Sequence, residues 1–102
     1  MEVQENTLTA SLIIHAVSRV TGISTDDIKS HNRKREIVDA RKIALFIIYD
    51  KCGYSLNRVG KIFDNMHHAS IIYSNRSYFD LFETDKEFRL KVLEIKHLLN
   101  IL

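Results

Sequence analysis

The 102-residue sequence contains no proline and no tryptophan, and it has only three glycines and one cysteine. Without proline, and with Leu, Ile, Lys and Glu throughout, it predicts an all-α fold with tight connections. The single Cys52 cannot form an internal disulfide, which is typical of a reducing compartment. No apolar run approaches the roughly 18 residues that span a bilayer, and the acidic start "MEVQENTLTA" is unlike a secretory signal. We therefore expect a cytoplasmic protein without a membrane partner.

The charge of the chain is concentrated in one segment. The net charge is only +2, but six of the fifteen Lys and Arg residues lie at positions 29–42, beside two acidic residues. This segment carries +4, whereas the rest of the chain sums to −2. A basic patch on a mildly acidic body indicates a polyanionic partner that is bound at one place. A solvated, charged loop without a partner is the alternative.

The spacing of apolar residues predicts helices at about 8–21, 37–51, 67–82 and 85–100, with short helices after Ser24 and after Ser55. Gly22 and Gly53 are natural helix ends. Thr84 and Glu87 are spaced as a capping box at the start of the last helix. Phe79, Phe82 and Phe88 are predicted core residues. The length of the chain allows one domain with a single core.

Residues 55–83 have the proportions of a helix-turn-helix. A short helix with Leu56, Val59, Ile62 and Phe63 on its inner side is followed by the turn Asp64-Asn65-Met66 and a longer helix. In this motif the first residues of the second helix enter the major groove of DNA. The predicted base-facing residues are His67, His68, Ala69 and Ser70.

The segments "KREIVDARKIA" and "SLNRVGKIF", followed by "HHASI", resemble the C-terminal DNA-binding domain of the bacterial replication initiator DnaA. The resemblance covers about residues 8–99 and implies a helix-turn-helix with a basic loop, here at 29–36, that reaches into the minor groove. It implies a minor-groove contact for Arg33 within the basic run that includes Lys34. The implied phosphate contacts are Arg35, Arg41 and Lys42, together with the N-terminus of the short helix at Ser55, Leu56 and Asn57.

The recognition-helix signature differs from that of the family. Where the family reads "GGRDHTTV", this chain reads "DNMHHASI". His68 matches the family's histidine, but His67 replaces an aspartate, and Ala69 and Ser70 replace threonines. Aspartate and threonine carry much of the family's base recognition, so we expect a weakened preference for the family's usual site. Tyr49 also stands where the family usually has a basic residue.

Two other functions compete with DNA binding. A metal-dependent hydrolase would use the adjacent histidines, but neighbouring helix positions point about 100° apart, and no further ligand lies at a suitable spacing. A protein-interaction module of the same fold would bind an initiator or regulator through its apolar last helix, "FRLKVLEIKHLLNIL".

The prediction that follows is an all-α domain of about five or six helices that binds double-stranded DNA in replication initiation or its regulation. Phosphate neutralisation would supply most of the affinity. We expect no enzymatic activity, no cofactor, no metal and no small-molecule substrate. We expect a monomer that is associated with the nucleoid.

Overall fold

The structure is a computed structural model that describes residues 8–101. Within these residues it is all-α, as the sequence predicted, and it contains six helices. The helices are α1 (Ala10–Thr21), α2 (Thr25–Lys29), α3 (Arg35–Cys52), α4 (Leu56–Ile62), α5 (His68–Thr84) and α6 (Lys86–Leu98). None of them is long and apolar enough to cross a membrane.

Local chemistry sets most of the helix ends. The hydroxyl Oγ of Ser24 accepts a hydrogen bond from the Asp27 N–H (3.1 Å), and Ser55 Oγ accepts one from the Arg58 N–H (3.1 Å). These bonds satisfy backbone donors that lack a partner inside the helix. Gly53 follows α3 with a φ of 69°, a left-handed conformation that glycine adopts without steric cost. Because these helix ends are capped locally, the helices are joined by short connections.

The central helix α3 lies between α1 and α5, while α6 packs against both α1 and α5. Ile43, Ala44, Ile47 and Ile48 of α3 are almost completely buried. They form one core with buried side chains from the other helices, namely Ile13, Val17, Ile28, Val59, Phe63, Ile71, Tyr78, Phe88, Val92 and Ile95. A single core that links all six helices fixes α4 and α5 relative to the rest of the domain.

The connection between α4 and α5 is a tight turn. Asp64 and Asn65 both adopt positive φ angles (59° and 58°), and the Met66 N–H donates a 3.0 Å hydrogen bond to the carbonyl oxygen of Gly60. A Cβ atom at Gly60 would collide with the Met66 carbonyl oxygen. The absence of a side chain at position 60 therefore lets the turn fold back onto α4.

Two predictions about side chains are wrong. Asp85 caps α6, because its Oδ1 accepts a hydrogen bond from the Phe88 N–H (3.1 Å). Thr84 belongs to α5, where its hydroxyl donates to the Asp80 carbonyl (2.7 Å) instead of forming a capping box with Glu87. Phe79 is not a core residue, since 55% of its surface is exposed. It touches the ring of Phe46 edge-on at the margin of the core.

Candidate nucleic-acid interface

The basic loop that was predicted at residues 29–36 is shorter in the structure, because Lys29 ends α2 and Arg35 and Glu36 begin α3. Residues 30–34 connect the two helices and are called the basic loop from here on, with Arg35 directly after it. Its backbone is held by its own polar side chains. Ser30 Oγ accepts from the Asn32 N–H (3.1 Å), and Asn32 Oδ1 accepts from the Lys34 N–H (2.8 Å). The loop therefore has a defined shape, although Arg33 and Lys34 are exposed.

Arg41 supports the basic loop from inside the protein. Only 6% of its surface is exposed. Its Nε donates to the Ile28 carbonyl (3.0 Å), and its Nη2 donates to the carbonyls of Asn32 (2.9 Å) and Asp27 (3.3 Å). Burial lowers the pKa of the guanidinium, and nearby Asp27 partly offsets this effect.

The contacts of Arg41 explain its presence in α3 without a phosphate. Two of its three nitrogen atoms are already bonded to backbone carbonyls within the protein. A guanidinium that is buried in this way has little exposed surface of its own. The structure thus shows that Arg41 holds the basic loop from inside the protein.

His31 joins the basic loop to the helix-turn-helix. Its Nε2 lies 3.2 Å from the carbonyl oxygen of Phe63, the residue that ends α4. A carbonyl oxygen only accepts hydrogen bonds, so Nε2 carries the hydrogen. Sequence reasoning missed this contact, because a histidine inside a polar loop belongs to no apolar period and its partner is 32 residues away.

The remaining predicted cations have different surroundings. Arg33 and Lys34 have no side-chain hydrogen bond or ion pair within residues 8–101. Arg35 is exposed and lies 3.5 Å from Asp39, one turn along α3. Lys42 Nζ donates to Ser77 Oγ of α5 (2.8 Å), and burial lowers the pKa of its amine.

The start of α5 presents the predicted base-facing residues. His67 is the N-cap, and its Nδ1 accepts a hydrogen bond from the Ala69 N–H (3.0 Å). The rings of His67 and His68 stack with their centroids 4.3 Å apart. Both histidines, Ala69 and Ser70 are exposed. No core contact therefore determines which residue types occupy these positions.

A groove of about 340 Å³ separates the starts of α4 and α5. Leu56 and Asn57 line it from α4, and His67 and His68 line it from the other side. Ser55 is exposed beside the groove, where its hydroxyl caps α4. Four of the predicted residues thus meet at one groove, whereas Ala69 and Ser70 do not line it.

The arrangement also bears on the metal hypothesis. Within the described part of the chain, no three His, Cys, Asp or Glu side chains are grouped so that they could bind a metal ion. The stacked imidazoles have another evident use, since one of them caps a helix.

A short helix, a tight turn and a longer helix with an exposed N-terminal edge define a helix-turn-helix domain. Residues 10–77 match the family described as "Bacterial dnaA protein helix-turn-helix". The chain belongs to this family, as the sequence motifs predicted.

Three curated relatives of this chain carry the same name. The chain is 31% identical over 87 residues to a "Chromosomal replication initiator protein DnaA" from Bacteroides thetaiotaomicron, a match that covers 85% of this chain and 18% of the relative. It is 27% identical over 99 residues to the protein of that name from Porphyromonas gingivalis, covering 97% and 21%. A third, from Thermodesulfovibrio yellowstonii, is 39% identical over 67 residues, covering 66% and 15%. The chain thus spans about a fifth of the length of these relatives.

Proposed function

We propose that this chain binds double-stranded DNA, with the start of α5 in the major groove and the basic loop in the adjacent minor groove. The observation that carries this proposal is the His31–Phe63 contact, because it ties the basic loop to the turn that precedes α5. This contact connects the loop that bears two exposed cations to the exposed edge of a helix-turn-helix. Replication initiation or its regulation is the process that the names of the relatives suggest.

The residues in this proposal have distinct tasks. Arg33 enters the minor groove, while Lys34 and Arg35 neutralise phosphates. His67, His68, Ala69 and Ser70 face base edges. Lys42 and the N-terminus of α4 at Ser55–Asn57 contact the DNA backbone. The contact at the N-terminus of α4 is supported by the groove between α4 and α5, because Leu56 and Asn57 line that groove. Arg41 positions the loop without touching DNA.

Salt dependence tests the proposal directly. Mobility shifts with a duplex of random sequence should give a steep fall of log affinity with log salt concentration. Changing Arg33 and Arg35 to Ala should flatten this slope by up to about 1.8, since a cation that displaces counterions at a phosphate or in the minor groove contributes up to about 0.9. The matched control changes Arg19 and Lys86 to Ala, which removes the same charge from α1 and α6. Equal slopes for both double variants would contradict the role of the basic loop.

The alternative, a protein-interaction module that uses the last helix, receives less support. Phe88, Val92 and Ile95, the apolar stripe of α6, are buried against the other helices. The outer side of α6 retains only Leu90, Leu93 and Leu98 as partly exposed apolar residues. If the chain fails to bind duplex DNA at low salt, the protein-interaction module becomes the favoured function.

Nucleoid association and a monomeric state belong to the same proposal. A monomeric helix-turn-helix domain would bind one site per chain. Sedimentation of the free protein and of its complex with a short duplex tests the stoichiometry. A one-to-one complex is the expected result, and two copies on one short duplex would contradict it.

A further inference from the structure

Two contacts fix the orientation of the His67 ring. The Ala69 N–H points at Nδ1 from 3.0 Å, and the ring of His68 stacks on the face of His67 with an angle of 27° between the planes. The backbone of His67 is extended (φ −67°, ψ 143°), as expected for a residue that precedes a helix. The edge of His67 that points away from the backbone is therefore defined.

The cap also determines which ring nitrogen carries the hydrogen. Nδ1 accepts the Ala69 N–H, so its lone pair is occupied and it bears no hydrogen. A neutral imidazole then has its hydrogen on Nε2, the nitrogen on the outer side of the ring. His67 thus offers a hydrogen-bond donor, and no acceptor, to a molecule in front of α5.

The opposite tautomer would break the hydrogen bond that caps α5. To accept a hydrogen bond at Nε2, the ring would have to carry its hydrogen on Nδ1, where it would face the Ala69 N–H donor to donor. The first turn of α5 contains no acidic residue that could replace the cap. Helix capping and base reading are therefore coupled in this one side chain.

We infer that His67 determines specificity by donating a hydrogen bond to an acceptor on a base edge, N7 or O6 of a purine, and by disfavouring cytosine. In the major groove guanine presents N7 and O6 and adenine presents N7, whereas cytosine presents only the amino donor at N4. Aspartate, the residue of the family signature, only accepts and so matches cytosine. The inference rests on the proposed DNA binding and reverses the hydrogen-bond polarity at this position.

Three proteins separate the two tasks of the side chain: the full 102-residue chain, His67→Asp and His67→Ala. Aspartate is a strong N-cap but lacks a donor, whereas alanine provides neither function. Each protein is used to select from the same pool of random duplexes at one salt concentration. Thermal melting of each protein is measured beside the selection.

One column of the selected motif should respond to the substitutions. The unaltered chain should prefer a purine over cytosine there by at least about fivefold. His67→Asp should reverse this preference without lowering the melting temperature. His67→Ala should lower the melting temperature and lose the preference to within about twofold.

Several results would overturn the inference. It fails if the unaltered chain selects cytosine in the responding column, or if His67→Asp selects the same motif as the unaltered chain. If all three proteins bind duplex DNA with a steep salt dependence but select no motif, DNA binding stands and this inference falls. If none binds duplex DNA, the proposed function fails and the inference falls with it. Long-range ¹H–¹⁵N spectra of the free protein give a separate test, because a hydrogen on Nδ1 of neutral His67 contradicts the inference.

Discussion

Replacing Arg41 by alanine should destabilise the fold without removing a DNA contact. The guanidinium makes hydrogen bonds of 2.9 and 3.0 Å to the carbonyls of Asn32 and Ile28, and a longer one of 3.3 Å to Asp27. Hydrogen bonds that involve a charged group contribute about 1.5–3 kcal/mol each, so the two short bonds together could account for roughly 3–6 kcal/mol. The alanine variant also leaves backbone carbonyls without their donor.

Desolvation acts in the opposite direction. Burial lowers the pKa of Arg41, which means that the folded protein pays part of the hydration free energy of the guanidinium. Removing the side chain recovers that cost, so the net loss should lie near the lower limit, at about 3 kcal/mol. For a domain of this size, a loss of that magnitude lowers the melting temperature by about 12–24 °C.

Urea unfolding followed by circular dichroism measures the free energy of unfolding, and the salt slope of DNA binding is measured on the same variants. Arg33→Ala is the matched control, since its side chain is exposed and its loss should change stability by less than about 0.5 kcal/mol. The reasoning is refuted if Arg41→Ala is as stable as Arg33→Ala and its salt slope is flatter by about 0.9. That result would make Arg41 a phosphate contact after all.

Two further predictions concern the fold. In Gly60→Ala the added Cβ would collide with the Met66 carbonyl oxygen, and this collision should cost more than the roughly 1 kcal/mol that alanine normally gains over glycine in a helix. The variant should therefore melt below the unaltered chain, and a melting temperature at or above that of the unaltered chain would contradict this. Burial, together with the nearby charge of Asp50, raises the pKa of Tyr78 to about 12. Since the folded pKa exceeds the ordinary value of 10.0, this contribution to stability is complete below about pH 10 and is lost as the pH rises towards 12. Tyr78→Phe keeps the ring and should remove that loss, which urea unfolding at pH 8 and pH 11 will detect, and an unchanged pH dependence would refute the prediction.

Local chemistry made much of the fold predictable from the sequence. Ser24 and Ser55 begin helices as expected, because a hydroxyl at the N-cap needs only a backbone N–H three residues ahead. The turn between α4 and α5 was equally readable, since an Asp-Asn pair tolerates left-handed backbone. Thr84 failed as a cap because the next residue, Asp85, is also a good cap. Pattern alone does not choose between two adjacent capping residues.

Only one part of the candidate site, the start of α5, could be predicted from the sequence. Exposed residues at the start of α5 follow from the position of the turn, and an alternation of turn and helix is visible in the sequence. The contacts that support the basic loop are not visible in the sequence. Arg41 is bonded to residues 9–14 positions away, and His31 contacts a carbonyl 32 positions away. Contacts between a side chain and a distant backbone carbonyl leave no trace in composition or in periodicity, because every residue type supplies the carbonyl.

The departures from the family signature are of two physical kinds. His67, Ala69 and Ser70 are exposed, so their identities affect what α5 can read and affect the core little. Met66 is different, because it is partly buried and packs against the hydrophobic core. The family's arginine at this position would replace that apolar contact by a charged group, and an unpartnered buried charge is costly. A return of specificity to the family's site should therefore be sought at the three exposed positions with Met66 kept, since changes there leave the core intact and aspartate at position 67 retains a side chain that can cap α5.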